Sequence, residues 1–307
     1  MKLLLLTQGR ELSPWLPFLA ARGHTFTVLP LANHRKAWWL AQRLVACSRA
    51  RGHDLVIIED QLLPGAPVWL ERCLGLLCGR PLVYWVNPAR RLGSLPPCHG
   101  LVVDPRFEHE FSTLDIPVYT LPPVLDRVGL QDPQASLQGY TIGWPLHGNR
   151  TETWPWLGPI LEEVAKTFAI QLVLLGGQDQ LKASFPIDHQ ASPGRNDAHY
   201  AKLDLIMAPG GPEVDVEQER VLLRCMAAGL PVVASGRSGE LVEQARAGYG
   251  ADDDPSWLFG LRKLLGDVET RRVLGDNGRA WVRFNRTRVL FASPLIDFLE
   301  KCAGGPT

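Results

Sequence analysis

The sequence predicts an α/β protein built as two doubly wound parallel domains. Three observations lead there. The chain has 307 residues, which suits two domains of about 150. Short apolar runs of strand length alternate with segments of helical period through both halves. Residues 203–235, LDLIMAPGGPEVDVEQERVLLRCMAAGLPVVAS, spell one whole crossover unit. In it Leu203, Leu205, Ile206 and Met207 suffice for a buried strand, and Pro209, Gly210, Gly211 and Pro212 break it. Val221, Leu222, Cys225 and Met226 then recur on one helix face. Gly229 stops that helix, Pro231 follows at the usual distance, and Val232 to Ala234 form the next strand. Strand, loop, helix and strand in this order make a parallel pair. The acidic loop Glu213 to Glu219 falls at the carboxyl end of the first strand, where open parallel sheets bind ligands.

The run MAAGLPVVAS, with SGELVEQARAGYG after it, resembles the nucleotide-sugar-binding half of the retaining glycosyltransferases of the large bacterial group 1 family. Their GT-B fold has two Rossmann-like doubly wound domains facing a cleft. The family pattern is a Pro, a Glu four residues on, a second Glu just before the Met-Ala-Ala-Gly turn, then a Gly-rich turn and Glu-Leu. Pro209 and Glu213 fit the first half. Arg224 stands at the second Glu, and the spacing from Glu213 to it is three residues longer than in the family. The resemblance is specific for the fold and the donor domain and weaker for catalysis.

Composition excludes several classes. Apolar residues are 46% and charged residues 21%, values of an ordinary globular chain. The formal net charge is zero, so no bulk basic field recruits nucleic acid. No apolar run reaches the ~18 residues of a membrane span. Met1 to Leu6 is too short for a signal-peptide core and reads as the first strand. The six Cys have no metal-ligand spacing and read as core residues in a reducing cytoplasm.

Taken in order, Leu3 to Leu6 is a strand, and Ser13 is expected to cap a helix opened by Pro14. Gly9 matches the family's glycine turn, where backbone approaches the donor phosphates or the acceptor. Phe26 to Leu29 is the second strand. His34 to Ala50 reads as a basic helix bearing Trp38 and Trp39: either a solvated face or a patch for an anionic acceptor or a membrane surface. Leu55 to Ile58 is a strand ending in Glu59 and Asp60, carboxylates placed where function is common. A helix over Pro67 to Cys78 leads to the strand Leu82 to Val86. The family often has a His after it, facing the acceptor; here that position is Asn87, which cannot titrate. Leu101 to Val103 and Val118 to Leu121 complete the half.

Pro122 to Gly139, rich in Pro, Asp and Gly, is the linker. The division is therefore residues 1–124, a linker at 125–139, a second domain at 140–285, and a last helix in 286–307 that in the family crosses back to the first domain. Tyr140 to Gly143 opens the second domain. The following helix is expected to be capped by Thr151 or Thr153, with Arg150 beside its amino end as a diphosphate ligand. Trp144, Trp154 and Trp156 crowd a loop that is a candidate to face ligand. Leu172 to Leu175 is a strand, and Gly177 lies in a turn that resembles the base-binding loop. Asp188 to His199 looks irregular, which makes the donor domain appear trimmed. Gly236 to Gly239 reads as a turn before a helix starting at Glu240, whose amides can reach phosphate oxygens. Trp257 to Leu265, Glu269 to Arg283 and Leu290 to Leu299 read as helices.

The function this implies is transfer of a sugar from a nucleotide-diphosphate sugar to a saccharide, lipid-linked or protein acceptor, in bacterial polysaccharide or glycoconjugate synthesis. Glu213 and Asn87 are the catalytic candidates. Gly9, Arg150, Gly177, Glu217, Arg224, Ser238, Gly239 and Glu240 are the donor-binding ones. Arg224 cannot accept hydrogen bonds from ribose hydroxyls, so Glu217 or Glu219 is offered in its place. No Asp-x-Asp metal motif stands in a suitable loop, and neither a metal nor another cofactor is expected. The location expected is cytoplasmic, with peripheral contact at the inner membrane face as an option. A catalytically silent GT-B-fold binding module is the alternative; an epimerase or phosphorylase stands behind it.

Overall fold

A computed structural model describes residues 1–7, 12–30, 45–59, 73, 77–86, 98–111, 113–126, 139–145, 150–176, 181–190, 197–210 and 216–304. The chain divides into two compact units: Met1–Pro122 together with Arg288–Thr307, and Pro123–Thr287.

Unit 1 is built on a parallel sheet of β1 (Lys2–Thr7), β2 (Thr25–Pro30), β3 (Leu55–Glu59), β4 (Leu82–Trp85), β5 (Gly100–Val103) and β6 (Val118–Thr120), in the order β2-β1-β3-β4-β5-β6. The central strands are apolar on both faces because helices cover both. Leu4, Leu6, Val56, Ile58, Tyr84 and Val86 pack with Ala46, Cys47, Ala50 and Cys78. Helix α1 (Leu16–Ala21) precedes β2, and α2 (Glu108–Phe111) precedes β6. The last helix belongs to this unit and runs further than its apolar stretch suggested, over Arg288–Cys302 (α8 below). Its Phe298 meets Tyr119 of β6 with ring centroids 5.5 Å apart, and Asp297 pairs with Arg22 at 2.7 Å. Ser13 does not cap α1: it opens a 3-10 turn, Ser13–Trp15, and α1 begins after it.

Unit 2 carries β7 (Tyr140–Pro145), β8 (Ile170–Leu175), β9 (Ile187–Gln190), β10 (Leu205–Ala208), β11 (Val232–Ala234) and β12 (Gly248–Gly250), again all parallel, in the order β12-β11-β10-β7-β8-β9. Its helices are α3 (Arg150–Ala165), α4 (Val216–Ala227), α5 (Gly236–Gln244), α6 (Asp254–Gly266) and α7 (Val268–Asn285), before α8 in unit 1. Strand alternation divides the core. Leu205 and Met207 pack with Leu157, Leu161, Trp257 and Leu261; Ile206 and Ala208 pack with Leu222, Cys225, Met226 and Val282.

Four local expectations change. Residues 187–190 form the edge strand β9, so the sheet has six strands, although no helix stands between β8 and β9 among the described residues. Helix α5 begins at Gly236, four residues before Glu240, with Ser235 at its N-cap. Thr151 and Thr153 lie inside α3, which starts at Arg150. Trp144 is 2% exposed and stacks on Trp154 at 6.3 Å, so it is a core residue.

Candidate active site

A doubly wound sheet binds ligands outside the carboxyl ends of its strands, where the strand order reverses. In unit 2 the chain winds outward through β7, β8 and β9, then returns to β10 beside β7 and winds the other way. The reversal therefore lies between β7 and β10. Helix α3 follows β7 and opens with Arg150. The segment after β10 is Pro209 and Gly210, and the neighbouring strand β11 ends at Ala234 and is followed by Ser235.

These pieces are bound together. The Ser235 hydroxyl accepts from the Gly210 N–H at 2.9 Å and donates to the Gly210 carbonyl at 3.0 Å. A Ser at an N-cap ordinarily turns its oxygen to the helix amides; here no such bond forms, because Gly210 takes the hydroxyl. Gly210 is closely packed: a Cβ would stand 3.1 Å from Gln218 Nε2 and 3.4 Å from the Ser235 carbonyl. Ser238, in the first turn of α5, is 2% exposed, and its hydroxyl lies close by, with no hydrogen-bond partner among the described residues. Gly239 packs under the Ala234 carbonyl, where a Cβ would fall at 2.9 Å. Glu240 is exposed. The first amide of α5, that of Gly236, already donates to the Asp252 carboxylate at 3.1 Å, so this helix end is partly satisfied from within.

The ten sequence candidates thus divide. Ser238, Gly239 and Glu240 are consecutive on α5 at this edge. Arg150 opens α3 and Glu217 lies in the first turn of α4, their side chains outside the described residues. Arg224 stands half-buried in the last turn of α4, about 9 Å along the axis from Gln218. Gly9, Asn87, Gly177 and Glu213 lie outside the described residues. Glu219, offered for the ribose, has its carboxylate 4.0 Å from the Arg286 guanidinium, which stacks on Trp281 at 5.0 Å. Sequence reasoning passed over Gly210, Gln218 and Ser235. The Ser ending a buried strand before a helix was the available signal. Nothing local marks Asp252 as a helix-end partner. Among the described residues no group of three or more His, Cys, Asp or Glu is placed to hold a metal ion.

No family model and no curated protein matches the chain by sequence. Solved structures match along its whole length. Sucrose-phosphate synthase from Thermosynechococcus elongatus aligns over 98% of each chain with a TM-score of 0.67 at 13% identity. Anabaena HepE in complex with UDP-glucose covers 98% of this chain and 100% of its own, with a TM-score of 0.63 at 16% identity. WaaG, a glycosyltransferase involved in lipopolysaccharide biosynthesis, covers 99% and 100%, with a TM-score of 0.58 at 14% identity. The fold is GT-B. In this GT-B chain each unit carries a six-stranded parallel sheet. At these identities the likeness is one of architecture. Among the described residues no helix is long and apolar enough to cross a membrane.

Proposed function

We propose that the chain is a glycosyltransferase that moves a sugar from a nucleotide-diphosphate sugar to a hydroxyl-bearing acceptor. The observation that carries this is the start of α3 directly after β7, the strand at which the unit 2 sheet reverses. A helix amino end there presents its first N–H groups and a positive dipole end, the arrangement that suits a diphosphate. Arg150 adds a cation able to bond two phosphate oxygens at once. The diphosphate gains negative charge as it leaves, so groups waiting for that charge lower the barrier most in the transition state. The GT-B neighbours include HepE in complex with UDP and UDP-glucose, which supports a nucleotide sugar as the ligand.

In this reading the amino end of α5 plays a lesser part, since Asp252 already occupies the Gly236 amide and a carboxylate competes with phosphate. Ser238 and Gly239 line the same edge, and Gly177 belongs to the base-binding turn. Glu213 contacts the sugar and stabilises positive charge at its reacting carbon. Glu217, near the start of α4, is the remaining carboxylate for the ribose hydroxyls. Arg224 is retained as a donor-side group, and Gly9 and Asn87 as acceptor-side groups. Positive groups and helix ends serve the leaving diphosphate without a metal.

The test is release of nucleoside diphosphate from UDP-, GDP-, ADP- and dTDP-sugars, with saccharide acceptors and with water alone. One donor is expected to turn over, and Glu213→Ala to abolish turnover while leaving the fold intact by circular dichroism. Unchanged turnover in Glu213→Ala removes Glu213 from the chemistry; absence of turnover with every donor contradicts the transferase assignment.

A further inference from the structure

Two cysteines of unit 1 face each other across neighbouring segments. Cys47 lies in the helical residues 45–50, which lead into β3, and Cys78 ends the helical residues that lead into β4. β3 and β4 are parallel neighbours, and both cysteines share one core cluster with Val56, Ile58 and Tyr84 of those strands. The Cys78 thiol donates to the Cys47 sulfur at 3.4 Å. Both are reduced, and both are buried, Cys47 at 4% and Cys78 at 0% exposed. A disulfide needs its sulfurs about 2.0 Å apart. A rotation of two side chains that closes about 1.4 Å would therefore make the bond.

A buried Cys by itself packs as a small apolar residue. Cys225 of unit 2 is such a case: burial pushes its thiol well up and keeps it unreactive. Contact between two thiols changes the chemistry. The Cys78 S–H holds the Cys47 thiol below its ordinary range, against the opposing pull of burial. The same bond, helped by burial, pushes Cys78 up. The thiolate is the nucleophile, so Cys47 is the sulfur that attacks and Cys78 the one that follows. Cys98 and Cys302 also sense each other, but burial pushes both up to about 11, and that pair lacks a ready thiolate.

We propose that Cys47 and Cys78 are a reversible redox pair, joined as a disulfide by a peroxide and reopened by a dithiol. The Cys47 thiolate attacks one peroxide oxygen, the O–O bond breaks, and the departing hydroxide takes a proton to become water. Cys47 is then a sulfenic acid. The Cys78 sulfur attacks the Cys47 sulfur, the S–O bond breaks, and the second hydroxide leaves as water with the Cys78 proton. Two thiols and one peroxide thus give one disulfide and two waters. A dithiol reverses this by two thiol–disulfide exchanges and leaves as its own disulfide. In a reducing compartment such a bond is transient and redox-sensing rather than structural. The proposal is independent of the transferase reading.

The test uses the full chain with Cys73→Ser, because Cys73 is exposed and would react with the reagent first. The folded chain is treated with hydrogen peroxide, remaining thiols are alkylated, and the cross-linked peptides are mapped by mass spectrometry. The Cys47–Cys78 cross-link is expected to exceed every other pairing at least tenfold, and dithiothreitol to remove it. Oxidation in urea is expected to lose that preference, since there only chain separation selects partners. Cys78→Ser is expected to stop at the Cys47 sulfenic acid, trapped by dimedone, a signature that a packing role alone would not produce. Should Cys78→Ser fail to fold, the peptide map of the Cys73→Ser chain decides alone. The proposal is overturned if Cys47 and Cys78 stay reduced in the folded chain, if another pairing such as Cys98–Cys302 dominates, or if a folded Cys78→Ser chain gives no dimedone adduct at Cys47.

Discussion

Ser235 holds Gly210 by both of its backbone polar atoms, N–H and carbonyl, at 2.9 and 3.0 Å. One side chain thereby ties the start of α5 to the segment that leaves β10. Ser235→Ala leaves two backbone groups without that partner at a site only 7% exposed. It is expected to cost about 1–3 kcal/mol, read as a lower midpoint in urea. If the donor site lies at this edge, nucleotide affinity falls in the same variant under conditions where it remains folded.

Gly275 gives a prediction opposite in sign to helix propensity. Gly to Ala inside a helix ordinarily stabilises by roughly 0.5–1 kcal/mol. Here a Cβ would collide with the carbonyl oxygen of Gly229, the residue at φ +80° that ends the α4 turn. Backbone cannot yield as a flexible side chain can, so overpacking outweighs propensity. Gly275→Ala is expected to destabilise by about 1–3 kcal/mol, measured by thermal or urea unfolding.

Asp204 accepts the Thr141 N–H at 2.8 Å, linking the start of β10 to β7. Burial pushes its carboxyl above the usual range, against the smaller downward pulls of the Thr141 N–H and the Arg271 charge. A carboxyl raised on folding binds more protons folded than unfolded. Its contribution is therefore most favourable at low pH and is lost as pH rises from the ordinary Asp value through the folded one. Asp204→Asn keeps an acceptor and removes that pH dependence, so its stability relative to wild type rises across that window. Asp204→Ala leaves the Thr141 N–H unpaired and is destabilised at every pH. Urea midpoints between pH 3 and 8 check both.

The parts of the fold legible in the sequence were those with one strong period or one apolar run. Val221, Leu222, Cys225 and Met226 marked α4, and all are buried. Strand β9 escaped because it is an edge strand: Asp188 and His189 are exposed, so it carries no apolar run. Strand β12, Gly248–Gly250, escaped because it is three residues long and carries no apolar run; Gly248 is required there, since a Cβ would collide with Val232 backbone. The glycines 236 and 239 misled by reading as a turn. Gly239 is there to pass under the Ala234 carbonyl, inside the helix rather than before it. At the site, local pattern pointed to α5 but not to the Ser235–Gly210 bonds or the Asp252–Gly236 bond. Those join residues 25 and 16 positions apart, contacts that no short-range period encodes.

The most direct test of the central claim is calorimetric titration of the whole chain with UDP-, GDP-, ADP- and dTDP-sugars. The account predicts one-site binding of at least one of them, weakened at least tenfold in Arg150→Ala. A folded wild-type chain that binds none of the four nucleotide sugars would contradict it.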